Sequence, residues 1–61
     1  MNGLFEVWFN GAIVNQFFSY TNAKNWAIMT ADMLDQTVLV KQNDTIVFDT
    51  SNIKRVIDNE T

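Results

Sequence analysis

The side chains that carry out covalent chemistry are scarce in this chain, which has no His and no Cys. Ser19 and Ser51 become nucleophiles only with a base beside them, and the bases on offer are carboxylates without a recognisable spacing. Asp32 and Asp35 are three residues apart in a segment of helical periodicity, so they would be surface neighbours able to approach a cation. A solvated helix face is the plainer reading of that pair. Asp44, Asp49 and the Asn residues near them do not form a calcium-loop pattern. The glycines, Gly3 and Gly11, make no phosphate-binding loop. Disulfides, structural zinc, haem and iron–sulfur clusters all lack their usual ligands. The expectation is a protein without catalysis, without a cofactor and without a metal site.

What the chain does hold is flat apolar surface. Trp8, Phe17, Tyr20 and Trp26 stand in only 61 residues, and Trp and Tyr suit interfaces because each joins a broad ring to a polar handle. Such aromatics at strand and helix spacing more often build a core, and Trp26, inside a helical stripe, is assigned there. Besides Lys41 the cations are Lys24, Lys54 and Arg55. A phosphate or carboxylate ligand would meet one or more of these three, with Arg55 the best suited to a bidentate contact. The competing reading of Lys54-Arg55 is a solvated edge.

Composition narrows the partners. Hydrophobic residues make up 48% and aromatics 13%, with no Pro, a globular balance. Net charge is −3 and the isoelectric point is near 4.3, so phosphate backbones find few clustered cations and nucleic-acid binding is disfavoured. No apolar run approaches the roughly 18 residues of a membrane span, and no secretory leader is apparent. A soluble cytoplasmic protein is the expected default. Asn43-Asp44-Thr45 and Asn59-Glu60-Thr61 match the glycosylation sequon and, without a leader, are read as chance.

The elements follow from turn chemistry and period. Asn10-Gly11 between alternating apolar residues is a strong hairpin signal, because a type I′ turn needs positive φ at both central positions. This predicts strands over 4–9 and 12–18. Thr21-Asn22 then reads as an N-cap pair, and Ala23, Trp26, Ala27, Thr30, Met33 and Leu34 recur at helical spacing. The helix is expected over 22–35, with Lys24, Asn25 and Asp32 free to face solvent. TVLVKQ over 37–42, Asn43-Asp44, and TIVFD from Thr45 predict a second two-residue hairpin. Residues 52–58 fit a helical stripe through Ile53, Val56 and Ile57 as well as strand alternation; a short fifth strand is preferred. The two hairpins look loosely alike without aligning as a repeat. The fold class is therefore α+β: a single domain over 1–61, ββαββ with a possible fifth strand, one helix packed on one face of an antiparallel sheet.

Pairing the first hairpin directly outward from its turn sets Phe9 opposite Ala12, Trp8 opposite Ile13, Val7 opposite Val14, Glu6 opposite Asn15, Phe5 opposite Gln16 and Leu4 opposite Phe17. Phe5, Val7, Phe9, Ala12, Val14 and Phe18 would then share the helix face with Gln16. Leu4, Trp8, Ile13 and Phe17 would lie on the other face, with Glu6 and Asn15. In the second hairpin Leu39, Ile46 and Phe48 would join Lys41 on one face, and Val38, Val40 and Val47 would take the other. Both faces are apolar, as in strands covered on both sides, and one helix covers one.

A chain of this length buries only about 60% of its unfolded surface, while ordering costs roughly 1.5 kcal/mol per residue. Self-association is the remaining stabilising route. Burying Leu4, Trp8, Ile13 and Phe17 would contribute roughly 6–12 kcal/mol per subunit as an upper bound, against about 4–15 kcal/mol for association. A two-fold pair is the commonest closed form. The competing arrangement has the chain's own tail or the Tyr20 region covering the patch.

In length, acidity, lack of Cys and Pro, and abundance of Asn, the chain resembles the accessory proteins encoded in phage and prophage genomes. Some of these sequester signalling nucleotides or block host defence proteins. The likeness is one of style and carries no motif and no site residue. It implies a stoichiometric binder. Ligand sites need concavities of about 300–1,000 Å3, more than one such small subunit offers, so a small nucleotide-like ligand would sit at a subunit interface lined by Leu4, Trp8, Ile13, Phe17, Tyr20, Lys24, Lys54 and Arg55. The alternative expectation is an inhibitor or adaptor that masks a host protein through the apolar sheet face or a strand edge.

Overall fold

Both turns marked by the sequence close hairpins. Asn10 and Gly11 have φ of 57° and 81°, and Asn43 and Asp44 have φ of 52° and 68°, the left-handed pair that a type I′ turn requires. The computed structural model describes residues 3–51. They form β1 (Phe5–Phe9), β2 (Ala12–Phe17), α1 (Tyr20–Leu34), β3 (Leu39–Gln42) and β4 (Thr45–Asp49). The strands make one sheet in the order β2-β1-β3-β4, antiparallel at each step, with α1 packed on β1, β2 and β3. The fold is α+β, as expected. The strand expected over 52–58 lies outside the described residues.

Register departs from the direct pairing in the same way in each hairpin. Phe9 opposes Ala12 and Trp8 opposes Ile13, but Val7 then opposes Asn15, Glu6 opposes Gln16 and Phe5 opposes Phe17. Val14 is the extra residue of a β-bulge. In the second hairpin Gln42 opposes Thr45 and Lys41 opposes Ile46, after which Val40 opposes Phe48, with Val47 in the bulge. One inserted residue reverses the face of everything beyond it. Phe17 and Phe48 therefore join the helix side, whereas Asn15 moves there and Gln16 leaves it. This overturns the expected placement of Phe17 on the open face and of Phe18 on the helix face, and it parts Phe48 from Leu39, Ile46 and Lys41, with which it was expected to share a face: Phe18 lies past the end of β2 and is 90% exposed. The physical reason is cover, since the bulges turn two large aromatic side chains towards the helix and leave smaller or polar ones outside.

The hairpins also prove to be equivalent. Asn10, Ile13 and Val14 occupy the places of Asn43, Ile46 and Val47, and the β1–β3 register is symmetric about Val7 opposite Val40, with Glu6 opposite Lys41 and Trp8 opposite Leu39. The sheet is a pseudo-two-fold pair of bulged hairpins, a repeat hidden because the strands themselves share few residues. Both bulges fall on the outer strands, β2 and β4, where a bulge interrupts the row of free backbone groups that would otherwise recruit another chain.

Helix α1 starts two residues before the expected point. Ser19, not Thr21 or Asn22, is the N-cap: its backbone is extended and its Oγ accepts the Asn22 N–H at 3.3 Å. At the other end Asp35 is left-handed, and the Gln36 N–H returns to the Ala31 carbonyl at 3.2 Å, a Schellman-type closure. The buried stripe is Ala23, Ala27 and Ala31, small residues that let the helix lie close on the sheet. Val7, Val38 and Val40 meet it from below, with Phe5, Phe9, Phe17, Trp26 and Phe48 around the rim. Met33 and Leu34, expected in the stripe, are exposed, because Met33 lies about 200° round the helix from Ala31 and Leu34 is the last residue of α1.

Thr50 closes the β3–β4 end. It is buried, its N–H donates to the Val38 carbonyl at 3.2 Å, and its Oγ1 accepts the Val38 N–H at 2.8 Å. The hydroxyl stands in for a missing strand carbonyl. Thr50→Val keeps the shape and leaves a buried donor unpaired, so urea unfolding should show a loss of about 1–3 kcal/mol; Thr50→Ser should retain most of that.

Candidate functional site

The sheet face opposite α1 is uncovered among the described residues. Registers place eight side chains on it in two cross-strand rows: Gln16, Glu6, Lys41 and Ile46, then Ile13, Trp8, Leu39 and Asp49. The apolar members sit beside one another at the centre and at diagonal corners. Ile13 is 44% and Ile46 52% exposed, while Trp8 and Leu39 are half-buried by their neighbours.

Three central side chains are locked together. The Trp8 indole N–H donates to Glu6 Oε1 at 3.1 Å, and Lys41 Nζ stands 4.2 Å from the centre of the Trp8 ring. The carboxylate fixes the rotation of the ring, and the ammonium lies where the π-face is negative, a contact worth about 0.5–1 kcal/mol when exposed. The result is a flat aromatic surface, held in place, with a cation against it and apolar residues on either side. It can stack a planar group and pair with an anion. It contains no nucleophile beside a base, and no three His, Cys, Asp or Glu among the described residues come close enough to hold a metal.

The expected site residues do not converge on this face. Trp8 and Ile13 belong to it. Phe17 packs on the helix side against Trp26, ring centres 6.1 Å apart, which bears out Trp26 as a core-facing residue. Tyr20 meets Phe5 edge-on at 5.6 Å, again on the helix side, a consequence of the helix starting there. Lys24, expected in solvent or on a ligand, is half-buried with its Nζ 6.0 Å from the Tyr20 ring and 5.8 Å from that of Phe48. Leu4 is half-buried just ahead of β1. Lys54 and Arg55 lie outside the described residues. Glu6 and Lys41 were not singled out from the sequence: they reach Trp8 only because β3 is the neighbour of β1, a non-local fact that hairpin patterns do not carry.

Other large apolar side chains are exposed away from this face. Phe18, Met29 and Met33, the last two one turn apart on α1, are the most exposed large hydrophobic residues described, at 90%, 62% and 77%. No helix among the described residues is long and apolar enough to cross a membrane. No protein-family model matches the chain, and no curated protein or solved structure is detectably similar to it.

Proposed function

We propose that this protein is a non-catalytic binding module whose subunits associate through the open sheet face and sequester a small nucleotide-like ligand between them. The observation that supports this is the Trp8–Glu6–Lys41 arrangement: a ring fixed by a carboxylate, with an ammonium against it, offers stacking to a base and charge to a phosphate. Lys41 takes the role first assigned to one or more of Lys24, Lys54 and Arg55. With Phe17 turned inward, the gain on association is smaller than the sequence suggests. Covering what Trp8, Ile13, Leu39 and Ile46 still expose recovers about half of the full burial value, roughly 3–6 kcal/mol per subunit. A two-fold pair doubles this to about 6–12 kcal/mol, against about 4–15 for association. Subunit pairing is then weak by itself, and a ligand held between the faces tightens it by mass action.

A thermal-shift panel of nucleotides tests the reading. One nucleotide should raise the melting temperature of the native chain, and Trp8→Ala and Lys41→Ala should each lose that rise while melting cooperatively, since neither side chain supports α1. No rise with any nucleotide would count against it. The second reading, an inhibitor that masks a host protein, is favoured by the exposed Phe18, Met29 and Met33, because Met-rich surfaces adapt to protein partners. A protein captured from lysate, lost on Met29→Lys with Met33→Lys and kept on Trp8→Ala, would support it.

A further inference from the structure

We infer that the first hairpin turn is a site of intrinsic covalent modification, at which Asn10 converts to isoaspartate by cyclisation onto the Gly11 nitrogen. In a two-residue hairpin loop the closing hydrogen bonds run between the flanking residues, here Phe9 and Ala12, so the Gly11 amide lies outside the ladder. Both turn residues are exposed, and a Cβ built on Gly11 meets nothing within 4 Å. The nucleophile is thus open to solvent base and sterically free.

The step balances with water as co-reactant. Hydroxide removes the Gly11 amide proton, the nitrogen attacks Asn10 Cγ, a C–N bond forms, and the side-chain nitrogen leaves as ammonia. Water then opens the succinimide at either carbonyl, giving aspartate or, by the other bond, isoaspartate. The isoaspartyl link adds a methylene to the backbone and a negative charge to a turn that depends on φ of 57° and 81°. Phe9 and Ala12, and then Trp8 and Ile13, are the next pairs along, so the modification loosens the aromatic row of the open face.

The second hairpin supplies the internal control. Asn43-Asp44 has the same turn geometry, with φ of 52° and 68°, but the Asp44 side chain crowds the attacking nitrogen where Gly11 has none. Asn2-Gly3 repeats the reactive pair in sequence and serves as a clock for the incubation.

Ageing the full chain in mildly alkaline buffer and mapping its peptides by mass spectrometry, with enzymatic methylation of isoaspartate as a second readout, tests this. Asn10 should convert, on the time scale on which Asn2 converts, at a rate at least an order of magnitude above that of Asn43. Asn10→Gly, which still permits the turn, should abolish the signal at that peptide. Asp44→Gly should bring Asn43 up to a rate comparable with Asn10. Asn10 remaining intact while Asn2 converts, or reacting no faster than Asn43, would overturn the inference, as would an unchanged Asn43 in Asp44→Gly.

Discussion

Phe17→Ala should lower the stability of the fold by about 2–3 kcal/mol, while Phe18→Ala, one residue further on, should change it by no more than about 0.5 kcal/mol. The contrast depends on the bulge at Val14. Direct pairing would put Phe18 under the helix and Phe17 on the bare face, and the two truncations would then rank the other way. With the bulge, Phe17 opposes Phe5 and lies against Trp26, so its removal opens a void between sheet and helix. The value is below the roughly 3–5 kcal/mol of a fully buried Phe because Phe17 is only partly buried. Small domains hold roughly 0.05–0.15 kcal/mol per residue, about 3–9 kcal/mol here, so the Phe17 variant should lose at least about a quarter of its stability and the Phe18 variant should be nearly unaffected. Urea titrations of both, followed by circular dichroism, measure the difference.

Ala27→Leu should be comparably damaging, at about 1–3 kcal/mol or more. Ala27 is fully buried at the middle of the Ala23, Ala27 and Ala31 stripe. Those three small side chains set the distance between α1 and the sheet, and Val7, Val38 and Val40 occupy the space beneath. Three added carbons have nowhere to go unless the helix lifts, which would also withdraw Trp26 from Phe17 and Tyr20 from Phe5. Ala31→Leu, near the helix end, should be milder because the last turn can tilt. A thermal melt with near-ultraviolet dichroism of the tryptophans reports both the loss of stability and the altered ring packing.

The legible parts of this fold are those in which one residue type meets one local demand. Asn10-Gly11 and Asn43-Asp44 announce turns because few residues accept positive φ, and the apolar period over α1 announces a helix. The bulges are silent. Val14 and Val47 are ordinary strand residues, and their extra place in the register is decided by which aromatic side chains the helix can cover. That choice moved Phe17 across the sheet, and with it part of the apolar character expected of the open face, and it set Phe48 on the face of Val40 in place of that of Lys41. Ser19 lost out as the predicted cap because Thr21 and Asn22 are equally able cappers, and only the end of β2 selects among them. The pairing of Trp8 with Lys41 was hidden for a different reason: it rests on the order of strands from separate hairpins. The equivalence of the hairpins was likewise obscured, since Asn10, Ile13 and Val14 match Asn43, Ile46 and Val47 while the strand residues on either side diverge.

The proposed pairing of two copies rests on the apolar surface that Trp8, Ile13, Leu39 and Ile46 present on the open face, less than a uniformly apolar face would offer. Light scattering on the eluting protein across a wide range of loading concentrations tests this most directly. The native chain should show a mass above the 7.0 kDa of one copy, rising with concentration, and Ile13→Asp combined with Ile46→Asp should return it to a single copy with the helix signal intact. A native chain that stays at one copy at the highest concentration, or a double variant that assembles as the native chain does, would contradict it.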